Sequence, residues 1–183
     1  MTHQQMSFSP WTAGAIAIAA LTAACVSTQP VYQGQVMSGA APGAGGPAHF
    51  VPSPYSQCVP YARQRSGVDI YGDAYLWWQE AQAEGYVRAT RPAIGAVMVL
   101  QVGAEGGRGH LAYVTRIISS RQIVVDHANW HGHGEVAVNV PVVDVSPDND
   151  WSAVKVFWVE TGQMGSRAYP VEGFVLPARA YGS

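Results

Sequence analysis

The chain has 183 residues, about one domain's worth, and its first charged side chain is Arg63. A net charge of −2 without a basic run argues against a nucleic-acid surface, and no apolar stretch reaches the roughly 18–20 residues of a spanning helix. Two cysteines, Cys25 and Cys58, are too few for a disulfide-dense scaffold or a four-Cys zinc site.

Residues Ala13 to Ala24 read AGAIAIAALTAA, an apolar run with small residues before Cys25, which matches the core of a secretory signal. Its amino-terminal flank, Met1 to Pro10, has no Lys or Arg. The run Leu21-Thr22-Ala23-Ala24-Cys25 resembles a bacterial lipoprotein box, with Leu one place further upstream than usual. That resemblance implies a signal over 1–25, lipidation of Cys25, and a protein held by this anchor in the periplasm or cell envelope. Residues 26–54 are rich in Pro, Gly, Ala, Ser and Gln and read as a flexible linker, leaving 55–183 as the folded domain. If Cys25 is acylated or removed, Cys58 is the lone thiol of the mature domain, so it is either inert and buried or there to react.

Next come two helices. The first opens at Ser56-Gln57-Cys58, tolerates Pro60 in its first turn and stops at Gly67, with Ser56 as the expected cap. The second is capped by Asp73 and ended by Gly85, with Ala74, Trp77, Trp78 and Ala81 on one face. After Pro92 the pattern predicts strands at Ala96–Val102, His110–Ile118, Gln122–His127, Glu135–Val140 and Ala153–Val159. Helices followed by strands predict an α+β domain, its N-terminal helices packed on an antiparallel β-meander. Tyr169, Phe174 and Leu176 imply that the tail from Thr161 packs back onto the domain.

A thiol attacks as thiolate, and a helix N-terminus favours that anion while its N–H groups face a developing oxyanion. Cys58 has that placement. The base it needs is offered by His110, which follows Gly109 and opens a strand. A third group should fix the imidazole tautomer, and the run Asp126-His127-Ala128-Asn129 supplies three candidates. Strand alternation puts His127 with Asn129 on one face and Asp126 on the other, unless a bulge intervenes.

The segments SQCVPYARQRSG, EGY, PAIGAVMVL, GHLAYVTRI and IVVDHANWHG, in this order, resemble a CHAP domain, a cysteine, histidine-dependent amidohydrolase/peptidase of papain-like layout. The likeness covers about 55–158. It implies a hydrolase of peptidoglycan amide bonds, acting as N-acetylmuramoyl-L-alanine amidase or as endopeptidase on peptide crosslinks, with no cofactor and no metal. By the same resemblance Cys58 is the nucleophile, His110 the base, Asn129 the polar residue after the acid, and Gln57 helps shape the oxyanion site. Many members carry Glu where this chain has His127, so the residue orienting His110 is taken in the order Asn129, Asp126, His127. Trp130, directly after the strand, is the aromatic candidate for substrate binding.

Two other classes compete. Asp126, His127, His131 and His133 gather metal-ligating side chains, which would make a metal-dependent hydrolase, although the spacing matches no standard zinc motif. A non-catalytic wall-binding module is the third reading, supported only by the altered acid position.

Overall fold

The computed structural model describes Met1, residues 46–102 and residues 107–179; Cys25, the expected signal and most of the expected linker lie outside the described residues. The elements run β1 (His49–Val51), α1 (Cys58–Ser66), a 3-10 turn (Ala74–Leu76), α2 (Trp77–Ala83), β2 (Tyr86–Ala89), β3 (Val97–Leu100), β4 (His110–Ser119), β5 (Gln122–Ala128), β6 (Val136–Asp144), β7 (Ala153–Trp158), β8 (Gln163–Met164) and β9 (Tyr169–Arg179).

The expected α+β meander is corrected here. Strands β6, β5, β4, β3, β9 and β7 pair in that order, and β6 pairs with β7 to close the ring. The domain is mostly β: a closed six-strand antiparallel barrel with short extra strands and two short helices. Closure depends on β9, which lies between β3 and β7 and also takes β2 on its edge. The tail is thus a wall of the barrel. Strand β1 lies inside the stretch expected as linker and pairs with the start of β6, His49 opposite Val138.

Alternation along the strands builds two cores. Met98, Leu100, Ala112, Val114, Val125 and Phe174 fill the barrel interior, and all are buried. Their neighbours Val97, Val99, Leu111 and Val175 face outward and are covered by Ala62, Trp77 and Ala81 of the helices. This explains why all four residues of β3 are buried. The fully buried Phe174 meets Trp151 edge to face at 6.0 Å, a contact whose loss with the ring would cost about 3–5 kcal/mol.

Local chemistry sets the ends of the helices. Helix α1 begins after Gln57, whose backbone is extended, and not after Ser56; it ends at Gly67, where a left-handed conformation lets the N–H donate to the Arg63 carbonyl at 2.8 Å. The second helical segment is split: Asp73 precedes the 3-10 turn without a side-chain cap, and α2 proper begins at Trp77. Trp77 and Ala81 are buried as expected, while Trp78 is half-buried beneath the Arg88 guanidinium, 4.5 Å above its ring.

Candidate active site

Cys58 is the first residue of α1, which packs against β4 and β5. The backbone amides of Leu111, Cys58 and Val59 act on the thiol, each favouring the thiolate. Leu111 follows His110, so the thiol lies against the start of β4 where the imidazole emerges. The expected lowering of the thiol pKa does not occur. Burial pushes it above the ordinary range, outweighing the three amides, and the charge of Asp73 adds to the rise. In the resting site the sulfur is therefore a thiol.

Register explains how the imidazoles meet. Tyr113 of β4 pairs with Asp126 of β5, so continuing the ladder sets His127 opposite Ala112, with His110 one pleat further on the same face. That face points into the barrel, as Ala112 and Val114 show, and the two histidines stand at its rim. His110 Nε2 lies 3.0 Å from His127 Nδ1, with the rings edge to face. Both are buried. Burial first, then the charges of His127 and His131, holds His110 well below the usual histidine range. His127 is held down to about 3, by burial and then by His131. Both rings are neutral at neutral pH, and one N–H joins them.

The other two candidates face elsewhere. Asp126 is on the opposite face of β5, where Arg65 of α1 meets its carboxylate at 3.0 Å and the Asn139 N–H donates to it at 2.9 Å. Burial still raises the Asp126 pKa, with Asn139 and Arg65 opposing. Asn129 lies beyond the end of β5 in the left-handed region, φ 63°, so strand alternation no longer governs it. Its Nδ2 donates to Gln57 Oε1 at 2.9 Å, and its Oδ1 accepts from the Gly134 N–H at 2.8 Å. Of the three, only His127 is hydrogen-bonded to His110. Register irregularities do occur, between Val114 and Arg116 and between Val125 and His127, but they leave His127 on the side of His110.

Trp130 walls the pair. Its ring centre is 4.8 Å from that of His110, 5.3 Å from His127 and 5.0 Å from Tyr169. The metal-like cluster is dispersed: Asp126 faces Arg65, His131 pairs with Glu160 at 3.1 Å, and His133 is exposed. Among the described residues no three His, Cys, Asp or Glu side chains converge as a metal site would require. Sequence reasoning missed the Leu111 amide and the Glu160–His131 pair. The first is a main-chain group with no residue signature, and the second joins a loop to a distant strand end.

Residues 49–129 match the family model described as CHAP domain. Over these residues the chain is similar to the CHAP family. Among curated relatives, the staphylococcal secretory antigen SsaA of Staphylococcus epidermidis is 33% identical over 93 residues, 49% of this chain and 35% of the relative. An N-acetylmuramoyl-L-alanine amidase domain-containing protein of Staphylococcus aureus is 32% identical over 96 residues, 48% of this chain and 16% of the relative. The chain therefore spans about a third or less of these proteins. A crystal structure of N-acetylmuramoyl-L-alanine amidase from Staphylococcus aureus aligns with 66% of this chain and 31% of its own, at 24% identity and a TM-score of 0.41. The matched segment holds Gln57, Cys58, His110, His127 and Asn129, and stops just before Trp130.

Proposed function

We propose that the domain is an exported thiol hydrolase that cleaves an amide bond of peptidoglycan. The observation that carries this reading is the packing of α1, headed by Cys58, on β4, headed by His110, with the amide following His110 acting on the thiol. The relatives' printed names, amidase and secretory antigen, supply the substrate class and the compartment.

In this mechanism His110 uses its two nitrogens differently. Nε2 is engaged with His127, so Nδ1, the nitrogen nearer the main chain, is the one left for the thiol. Neutral His110 donates its Nε2–H to His127 Nδ1 and keeps a lone pair on Nδ1. That lone pair takes the thiol proton as sulfur attacks the carbonyl carbon, which accounts for catalysis without a pre-formed thiolate. His127 orients the imidazole and accepts a stronger, charge-assisted bond once His110 is imidazolium. The imidazolium protonates the leaving amine, and water activated by the same ring then hydrolyses the thioester. The Cys58 N–H and the Gln57 side chain are the donors for the oxyanion. Trp130 offers the aromatic side to the substrate.

A signal over 1–25 ending at Cys25, with lipidation there and a linker to the barrel, completes the proposal; a Cys25→Ala form should lose lipid labelling and be released. Peptidoglycan digestion tests the chemistry. Iodoacetamide should abolish fragment release and a chelator should leave it unchanged, and mass spectrometry of the new termini names the bond cut. Release abolished by the chelator but not by alkylation would favour a metal-dependent hydrolase.

A further inference from the structure

We infer that Asn129 is a positioning residue for Gln57, holding that side chain with its N–H₂ turned toward the oxyanion, and is not the partner of His110. The inference rests on the thiol-hydrolase reading and adds a residue role to it.

The direction of each bond in this chain of groups follows from one backbone donor. The Gly134 N–H can only donate, so the Asn129 atom 2.8 Å from it is the carbonyl Oδ1. The other end of the same carboxamide is then Nδ2, which can only donate, so the Gln57 atom 2.9 Å away is Oε1. What remains free on Gln57 is Nε2, a donor, on the residue just before Cys58. Without Asn129 the Gln57 amide has no such bias, and the opposite orientation would aim a carbonyl dipole at a developing negative charge.

The support is itself fixed. Asn129 takes the left-handed backbone that Asn tolerates better than most residues, and its own N–H donates to the Glu135 carbonyl at 2.7 Å. Gly134 lies against Ser56, where an added Cβ would stand 3.2 Å from the serine Cβ. The turn from Asn129 to Glu135 is thus closed on itself and seated against the two residues preceding Cys58. Both polar ends of the Asn129 side chain are engaged in this arrangement, while His110 Nε2 is held by His127.

Asn129→Asp separates the two roles because a carboxylate is a good partner for a histidine but has no donor. At position 129 it keeps the Gly134 bond with one oxygen and draws Gln57 Nε2 with the other, turning the donor away. Gln57→Glu makes the same loss from the other side, keeping the acceptor that Asn129 needs. With the full chain and solubilised peptidoglycan fragments, kcat and KM are measured across pH for both variants. Each should lose about 10²–10³-fold in kcat with KM and the acid limb of the profile unchanged. An Asn129→Asp enzyme near wild-type activity with its acid limb moved upward would overturn the inference, since the carboxylate would then be serving His110. Should that variant fail to fold, a near-wild-type Gln57→Glu overturns it equally. Full activity in Cys58→Ala would instead sink the underlying thiol reading, an outcome distinct from both.

Discussion

His110 Nε2 and His127 Nδ1 face each other across 3.0 Å, their ring planes 85° apart, with both rings buried at the barrel rim. Among the described residues no carboxylate is hydrogen-bonded to the pair: Asp126 points from the other side of β5 to Arg65, and Glu160 is paired with His131. A neutral imidazole can orient its neighbour through a hydrogen bond, but it lends an imidazolium far less electrostatic support than an anion would. Burial, with the charges of His127 and His131, therefore leaves the proposed base, His110, with a low pKa.

His127→Ala should lower kcat/KM by at least about tenfold, short of the ~10⁴-fold that a triad carboxylate's charge is worth. His127→Glu should restore much of the activity and move the acid limb upward by about 1–3 pH units, because a nearby anion favours imidazolium. Trp130 packs against both rings and the charge of His131 acts on both, and Tyr169 meets the far side of Trp130. Rate profiles of the two variants decide it. An unmoved limb in His127→Glu would mean that the ring at 127 is not the partner that matters.

Acid should weaken the fold for the same reason. Above about pH 6.5 the two rings are neutral in both folded and unfolded chains. As pH falls below that value the unfolded chain binds protons that the buried rings refuse, so stability is lost, by up to about 1.4 kcal/mol per pH unit for each ring. For His127 the loss continues until its folded pKa of about 3. Urea midpoints between about pH 6.5 and 5 follow this effect, which the raised Asp126 carboxyl opposes. The midpoint should fall across that window, and less steeply in a folded His127→Asn variant; a flat midpoint in the wild type would contradict neutral burial.

Much of the site was legible because its signals are local. A Cys at the head of a helix and a His after Gly109 at the head of a strand are patterns of neighbouring residues, and both lie where such patterns put them. The choice among Asp126, His127 and Asn129 was not, because it depends on where β5 ends and on which face its partner presents. Asn129 leaves the strand one residue too soon for alternation to apply. Barrel closure was hidden more deeply. Strand β9 carries Pro170, Gly173 and Pro177, which weaken a strand pattern, and its partners β3 and β7 are remote in sequence.

Gly109 shows how closely His110 is held by its surroundings. Its φ is +69°, and an added Cβ would stand 2.7 Å from the Tyr75 nitrogen and 2.9 Å from its Cα, both backbone atoms. That Tyr75 N–H also donates to the Arg108 carbonyl at 3.0 Å, tying the helical layer to the residue before Gly109. Gly109→Ala should cost about 2–4 kcal/mol from the left-handed backbone and the overlap together. It should also lower activity by shifting His110. Chemical denaturation and kcat/KM measured on one preparation test both, and a variant as stable and active as wild type would show that β4 starts with room to spare.

The central claim is that the Cys58 sulfur attacks an amide of peptidoglycan, and fragment release by Cys58→Ala and Cys58→Ser tests it most directly. The variants are matched to wild type in unfolding midpoint, then incubated with purified peptidoglycan, and the soluble products are analysed by mass spectrometry. The wild type should release fragments bearing new amine and carboxyl termini, and neither variant should release any above a no-enzyme control. The same fragments released at a comparable rate by a folded Cys58→Ala protein would contradict the thiol mechanism outright.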